Sequence, residues 1–117
     1  MAIEFPWPPA ILSPNNRSHW ARKLAPKQTY RGNCYMLTKG YLATARHWRP
    51  SPDCPLPVKI IFHPPDRRHR DDDNMISAFK SGRDGMADAL GINDRMLRPE
   101  YHFRDPIKGG AVIVEVE

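Results

Sequence analysis

Apolar side chains return at Tyr30, Cys34, Leu37, Tyr41, Ala45 and Trp48, a stride of three and four that predicts an amphipathic helix over about residues 29–48. Thr29 is placed to cap that helix. Arg46, His47 and Arg49 suit the negative end of its dipole, and Pro50 and Pro52 stop it. Upstream, Ile3-Glu4-Phe5 reads as a short strand that runs into the extended Pro6-Trp7-Pro8-Pro9. Ser13-Pro14-Asn15-Asn16 is a turn signal, and the basic stretch from Arg17 to Lys27 reads as a loop or a short broken helix. Val58-Lys59-Ile60-Ile61-Phe62 predicts a buried strand, closed by Pro64-Pro65. Met75, Phe79, Met86 and Leu90 share one face of a second predicted helix, which starts at Met75 and ends at Gly91; Gly82 and Gly85 weaken it and are candidate break points. Tyr101 and Phe103 alternate with charged neighbours. Val112, Val114 and Val116 alternate with Ile113, Glu115 and Glu117, so with Gly109-Gly110 between them the two runs read as a β-hairpin. The order β-α-β-α-β-β predicts an α+β fold, a small mixed sheet with two main helices in one domain over residues 1–117.

Composition narrows the function. A chain of 117 residues fits a single domain, and 13 prolines punctuate it without erasing the periodic runs. A net charge of +5 suits a polyanionic partner. Cys34 and Cys54 lie far apart with no metal-ligand spacing, so they read as two reduced thiols, one in a helix core. With no apolar run of membrane-spanning length and no leader pattern, the expectation is a soluble, cytoplasmic protein with no membrane partner.

The chemistry concentrates in Asp66-Arg67-Arg68-His69-Arg70-Asp71-Asp72-Asp73-Asn74. Three consecutive aspartates repel one another, so either the flanking arginines or a divalent ion must offset them. In an extended stretch Asp71 and Asp73 point to one side, which would suit a hard cation such as Mg2+. The competing reading is structural: Asp73 or Asn74 caps the helix that begins at Met75, and the other aspartates are solvated beside arginines. Asp94 is the next candidate, just past the second helix, and Asn93 beside it is a weaker, neutral ligand.

The run from Asp66 to Asn74 resembles the basic stretch and Asp-x-Asp-Asn motif of RusA-like Holliday junction resolvases. Pro6-Trp7-Pro8-Pro9 followed by Asn15-Asn16-Arg17 resembles that family's N-terminal motif, and Asp88-Ala89-Leu90-Gly91-Ile92-Asn93-Asp94 its later acidic motif. Lys108-Gly109-Gly110 before the last strand also fits, so the likeness runs in order along nearly the whole chain. The resemblance implies a phage- or prophage-encoded homodimer that uses Mg2+, with Mn2+ as a substitute. Such enzymes nick two strands symmetrically at a DNA four-way junction and leave 5′-phosphate ends. It maps the catalytic, metal-holding carboxylates onto Asp71, Asp73 and Asp94. One position departs: the family lysine four residues after the second motif aspartate is replaced by Ser77. Lys80, seven residues after Asp73 and so nearly on the same helical face, is the expected stand-in.

Arg67, Arg68, Arg70, Asn74 and Arg95, with Arg17, Arg22 and Lys23 as a second group, are the expected DNA contacts; Arg83 and Arg98 lie near the same carboxylates in sequence. Trp7 and Trp20 are offered as base-stacking residues, with burial the favoured fate of both. A straight helix from Met75 to Leu90 would carry Asp94 far from Asp73, so either that helix breaks or a partner subunit supplies Asp94. Two rival readings stand beside the resolvase: a junction-binding module without catalysis, and a nuclease acting less selectively on branched DNA.

Overall fold

Alternation with period two makes one face of a sheet apolar, and that face collects the core. In the computed structural model, which describes residues 2–116, strand β1 (Ala2–Pro6) buries Ile3 and Phe5, and β2 (Leu56–His63) buries Leu56, Val58, Ile60 and Phe62. Strand β3 spans Leu97–Phe103 and β4 spans Ala111–Val116. The sheet order is β1-β4-β2-β3. β4 runs antiparallel to both β1 and β2, while β2 and β3 are parallel, so the sheet is mixed and the fold α+β as expected. Glu117, read as the end of the last strand, lies outside the described residues.

Two expectations about strands need correction. The predicted hairpin does not form: β4 inserts between β1 and β2, and β3 lies on the far side of β2. Gly109 and Gly110 do turn the chain, with φ of 80° and 70°, but the turn leads back across the sheet end. A Cβ on Gly110 would lie 3.0 Å from the Trp7 Cβ and 3.1 Å from Pro65, so this turn is packed against the Pro-Trp-Pro segment. β2 is buried on one face only, since Lys59, Ile61 and His63 on its other face keep part of their surface.

The first long helix, α1, spans Trp20–Thr44, not 29–48. Its N-cap is His19, whose Nδ1 accepts from the Ala21 amide; Thr29 lies inside the helix. Pro26 sits within it, so the basic run from Arg17 onward is mostly helical rather than loop. Lys23 donates to the carbonyls of Ser13 and Asn16 and ties the early turns to the preceding loop. The helix stops at Ala45, before the prolines. Arg46, His47 and Arg49 lie past its end, where Arg49 donates to the Ala45 and Trp48 carbonyls. The buried stripe is Tyr30, Cys34, Thr38 and Leu42, so Leu37 stays exposed. Trp20 is 68% exposed, against the expectation of burial. Tyr30 Oη donates to the Pro6 carbonyl at 2.6 Å and fastens the end of β1 to α1. Burial pushes the Cys34 thiol up to about 12, and both cysteines are free.

The second predicted helix is two helices. α2 spans Asp72–Ala78 and α3 spans Lys80–Leu90, with the break at Phe79 rather than at either glycine. Phe79 is 1% exposed and meets Phe5, Tyr30 and Phe62 edge-on or tilted, so one aromatic ring joins strand, sheet and helix layers. Gly82 and Gly85 lie in the α1–α3 seam. A Cβ on Gly85 would stand 2.2 Å from the Arg31 carbonyl oxygen, so the two backbones approach where only glycine fits. No helix among the described residues is long and apolar enough to cross a membrane.

Candidate functional site

The site is built at the start of α2, the start of α3 and the turn after α3. Asp71 is the N-cap of α2: its backbone is extended, its carbonyl accepts from the Asn74 and Met75 amides, and its carboxylate makes no capping bond. Asp72 and Asp73 occupy the first turn, where acidic side chains suit the helix dipole. The expectation of an extended run with Asp71 and Asp73 on one side is therefore replaced by a helix start, and neither Asp73 nor Asn74 is the cap. All three aspartates are exposed, and His69 Nε2 lies 3.3 Å from Asp71.

Asp66 organises the basic run before them. Its carboxylate accepts from Arg70 Nη1 at 2.9 Å, from the Arg68 amide at 3.0 Å and from Arg68 Nε at 3.3 Å. The Arg70 guanidinium first, then the Arg68 amide, hold this carboxyl well below the usual carboxylate range. Arg70 also lies over the Trp7 ring, 5.9 Å from its centroid, and Trp7 packs edge-on against Phe62. A cavity of about 600 Å³ here is lined by Trp7, Asn15, Asn16, Arg68, Asp71 and Asn74 among others. The N-terminal stretch from Trp7 to Asn16 and the stretch from Pro65 onward, dozens of residues apart in sequence, thus face one space.

Lys80 opens α3 and holds a second cluster of charges. Its Nζ donates to Asp84 at 2.5 Å and to Asp94 at 2.8 Å. Burial alone would lower the ammonium's pKa; the bonds to Asp84 and Asp94 outweigh it and raise the pKa. The same ammonium holds the Asp94 carboxyl below its ordinary value. Asp94 reaches Lys80 because the chain reverses sharply after α3. Gly91 sits at φ 73°, its amide bonds to the Asp88 carbonyl, and the Ile92 amide bonds to the Ala87 carbonyl, a double bond pattern that ends a helix and turns the chain back. Asn93 then caps a short 3-10 turn at Asp94–Met96 by accepting from the Arg95 amide, which gives it a structural task. The helix break at Phe79 and this reversal put Asp94 beside Lys80 within one chain.

Of the residues singled out from sequence, Lys80 and Asp94 meet directly. Among the described residues, however, no three His, Cys, Asp or Glu side chains gather in position to hold one metal ion, so Asp71, Asp73 and Asp94 do not form a preassembled cage. Asp84 was missed by the sequence reading. Its signal was its place four residues after Lys80, on the same helical face. Asp88 is taken up by Arg31, whose Nε and Nη2 donate to it at 2.9 and 2.7 Å. Arg67, Arg17, Arg22 and Arg95 are exposed, as phosphate contacts would have to be, and Lys23 is half-buried and already bonded. Arg98 bonds the Arg95 and Leu97 carbonyls. Arg83 donates to the Tyr101 hydroxyl at 3.2 Å.

Carboxylate oxygens are hard ligands, and Mg2+ commonly takes one or two of them and fills its shell with water and phosphate. Asp84 and Asp94, bonded to the same ammonium, fit that modest demand in donor type and in proximity.

No protein-family model matches this chain. A protein of Xylella fastidiosa (strain Temecula1), described only as uncharacterized, is 36% identical over 122 aligned residues, covering 98% of this chain and 74% of that protein. At that identity and coverage, the chain belongs to the same family as the Xylella fastidiosa protein.

Proposed function

We propose that this protein is a Mg2+-dependent, structure-selective DNA endonuclease of the RusA-like type, which resolves Holliday junctions by paired symmetric nicks in recombination and repair. It acts as a homodimer in the bacterial cytoplasm, on behalf of a phage or prophage. The observation that carries this reading is the 2.8 Å contact between Lys80 and Asp94. The residue expected to stand in for the family lysine, absent at Ser77, meets the carboxylate of the later acidic motif. Asp94 with Asp84, and Asp71 and Asp73 at the start of α2, are the carboxylates that would hold Mg2+. The ion would activate a water for attack on the scissile phosphate and offset the phosphate's developing charge.

The chain's own residues do the rest. Lys80 offsets the charge of Asp84 and Asp94 until DNA arrives, which limits their repulsion of the backbone. Arg67, Arg17, Arg22 and Arg95 offer exposed positive charge to phosphates, a source of affinity that weakens as salt rises. Asp66 fixes Arg68 and Arg70 in the lining of the Trp7 cavity, so these two are preset in direction.

A second reading has an observation in its favour. Lys80 lies between Asp84 and Asp94, and no trio of ligands is preassembled, an arrangement that also suits a junction-binding protein without catalysis. Cleavage of a labelled synthetic four-way junction, beside matched linear duplex, with and without Mg2+, separates the two. The expected result is symmetric Mg2+-dependent nicking of the junction, lost in Asp94→Asn and Asp73→Asn. Tight junction binding with no nicks in Mg2+ or Mn2+ would sink the nuclease and leave the binding module; equal cutting of every branched substrate would remove the junction selectivity.

A further inference from the structure

A second cavity, of about 440 Å³, lies between the early turns of α1, the loop at Leu12–Pro14, the α2–α3 junction and Tyr101 of β3. It is separate in composition from the Trp7 cavity, although Ala78 lines both. Its walls combine two chemistries. Leu12, Ile76 and the Tyr101 ring give an apolar surface, and Lys23, Lys27, Lys80 and Arg83 set four positive charges against the single Asp84. Lys23 and Lys80 are already bonded, to carbonyls and to carboxylates. Lys27 is exposed and makes no ion pair among the described residues.

Two buried polar atoms at this cavity have no protein partner. Ser81 is 7% exposed, and its Oγ makes no hydrogen bond. Arg83 Nε is likewise buried and unpaired, although its Nη1 reaches Tyr101. A buried polar group without a partner is costly to keep, so two at one cavity point to a ligand that supplies the missing bonds. The volume lies within the roughly 300–1,000 Å³ of small-ligand sites. A flat apolar wall, a hydroxyl and guanidinium inside, and a free cation at the rim match one nucleotide: base against the wall, phosphate at Lys27 and Arg83.

We propose that this cavity captures a single unpaired nucleotide at the branch point of the DNA. The proposal rests on the reading that the protein acts on branched DNA, and it assigns to that site the recognition of an unstacked base. Paired duplex cannot enter, because its bases are held in the stack, whereas a branch point releases one at modest cost. Tyr101 offers an aromatic face of the kind on which bases stack.

The test uses the intact protein in EDTA, so that binding is read without cleavage. The probe is a four-way junction carrying 2-aminopurine at the branch point, with a second junction carrying it mid-arm and a matched duplex for comparison. The wild type should raise the branch-point fluorescence and leave the mid-arm signal unchanged. Ser81→Ala and Lys27→Ala should each shrink the junction's affinity advantage over duplex by about threefold to tenfold, the loss expected for one hydrogen bond or ion contact. Thermal melts check that both variants fold. If wild type binds the junction tightly and branch-point fluorescence does not change, the capture proposal is overturned while the DNA reading stands. If wild type binds neither junction nor duplex, both fall together.

Discussion

Lys80 joins the start of α3 to the acidic turn that follows it. Its ammonium bridges two carboxylates that lie four and fourteen positions away, and it is 52% exposed, so the bridge contributes little to stability, at most about 1 kcal/mol. Its value is electrostatic and local. Lys80→Met should therefore leave the urea midpoint almost unchanged while lowering junction cleavage by about 100-fold, the scale of losing one charge aimed at a transition state. Cleavage within a factor of two of wild type would show that Lys80 does not take the missing lysine's place. The pair also fixes a pH window. Asp94 has its pKa lowered from 3.8, so its contribution is present above that value and is lost as pH falls through the lowered one. Lys80 has its pKa raised from 10.5, so its contribution is present below that value and is lost as pH rises through the raised one. The small stability difference between wild type and Lys80→Met should thus be flat across neutral pH. It should vanish in strong acid, and urea titrations at several pH values check it. The sequence supplied Lys80 and Asp94 as separate candidates, through spacing and resemblance. It did not supply Asp84, because an aspartate four residues after a lysine usually marks a solvated helix face, and only the chain reversal at Gly91 brings Asp94 beside it.

At the scale of elements, the glycines separate local propensity from tertiary fit. Gly32 and Gly40 lie on α1 with nothing within 4 Å of an added Cβ, so alanine there should stabilise by about 0.5–1 kcal/mol each through helix propensity. Gly85→Ala has the same propensity gain but would push a methyl to 2.2 Å from a backbone oxygen of α1. Overpacking of that kind costs about 1–3 kcal/mol, and the rigid partner places this site at the upper end. Opposite signs for identical substitutions, read by chemical denaturation, would establish the close α1–α3 crossing; stabilisation by Gly85→Ala would refute it. The same distinction explains what the sequence pattern could and could not give. The stripe of Met75, Phe79, Met86 and Leu90 was readable because its burial is local and periodic, and all four are buried. The start of α1 was not, because Pro26 and the run of basic residues argue locally against helix, while extension from an established helix adds each residue cheaply. The partner of β3 was not readable either. Alternation in Tyr101 and Phe103 declares a strand, but nothing in it distinguishes pairing with the next strand from parallel pairing with β2, which is a decision made by the packed crossover of α2 and α3.

For the whole molecule, the question is whether one protomer holds a complete site. A straight helix from Met75 would have placed Asp94 far from Asp73 of its own chain, and a shared site between subunits was one way to resolve that. The break at Phe79 and the reversal at Gly91 bring Asp94 to Lys80 of the same chain, which leaves the partnership of Asp94 with Asp73 as the point to test. On the proposed function, if Asp73 works with Lys80 and Asp94 of its own chain, a homodimer holds one such set for each of two opposed strands. In mixed dimers of Asp73→Asn with Asp94→Asn, each subunit's own set is damaged, so cleavage should stay lost. If instead Asp73 of one subunit worked with Asp94 of the other, half of the sites in that mixed dimer would be intact and nicking of one strand would return. Mixed dimers of wild type with Asp94→Asn provide the control and should nick a single strand. Differently tagged subunits, co-purified and assayed on a junction labelled on each strand in turn, distinguish the cases. Restored cleavage would overturn the self-contained site, while its absence beside an active control would assign each cut to one chain.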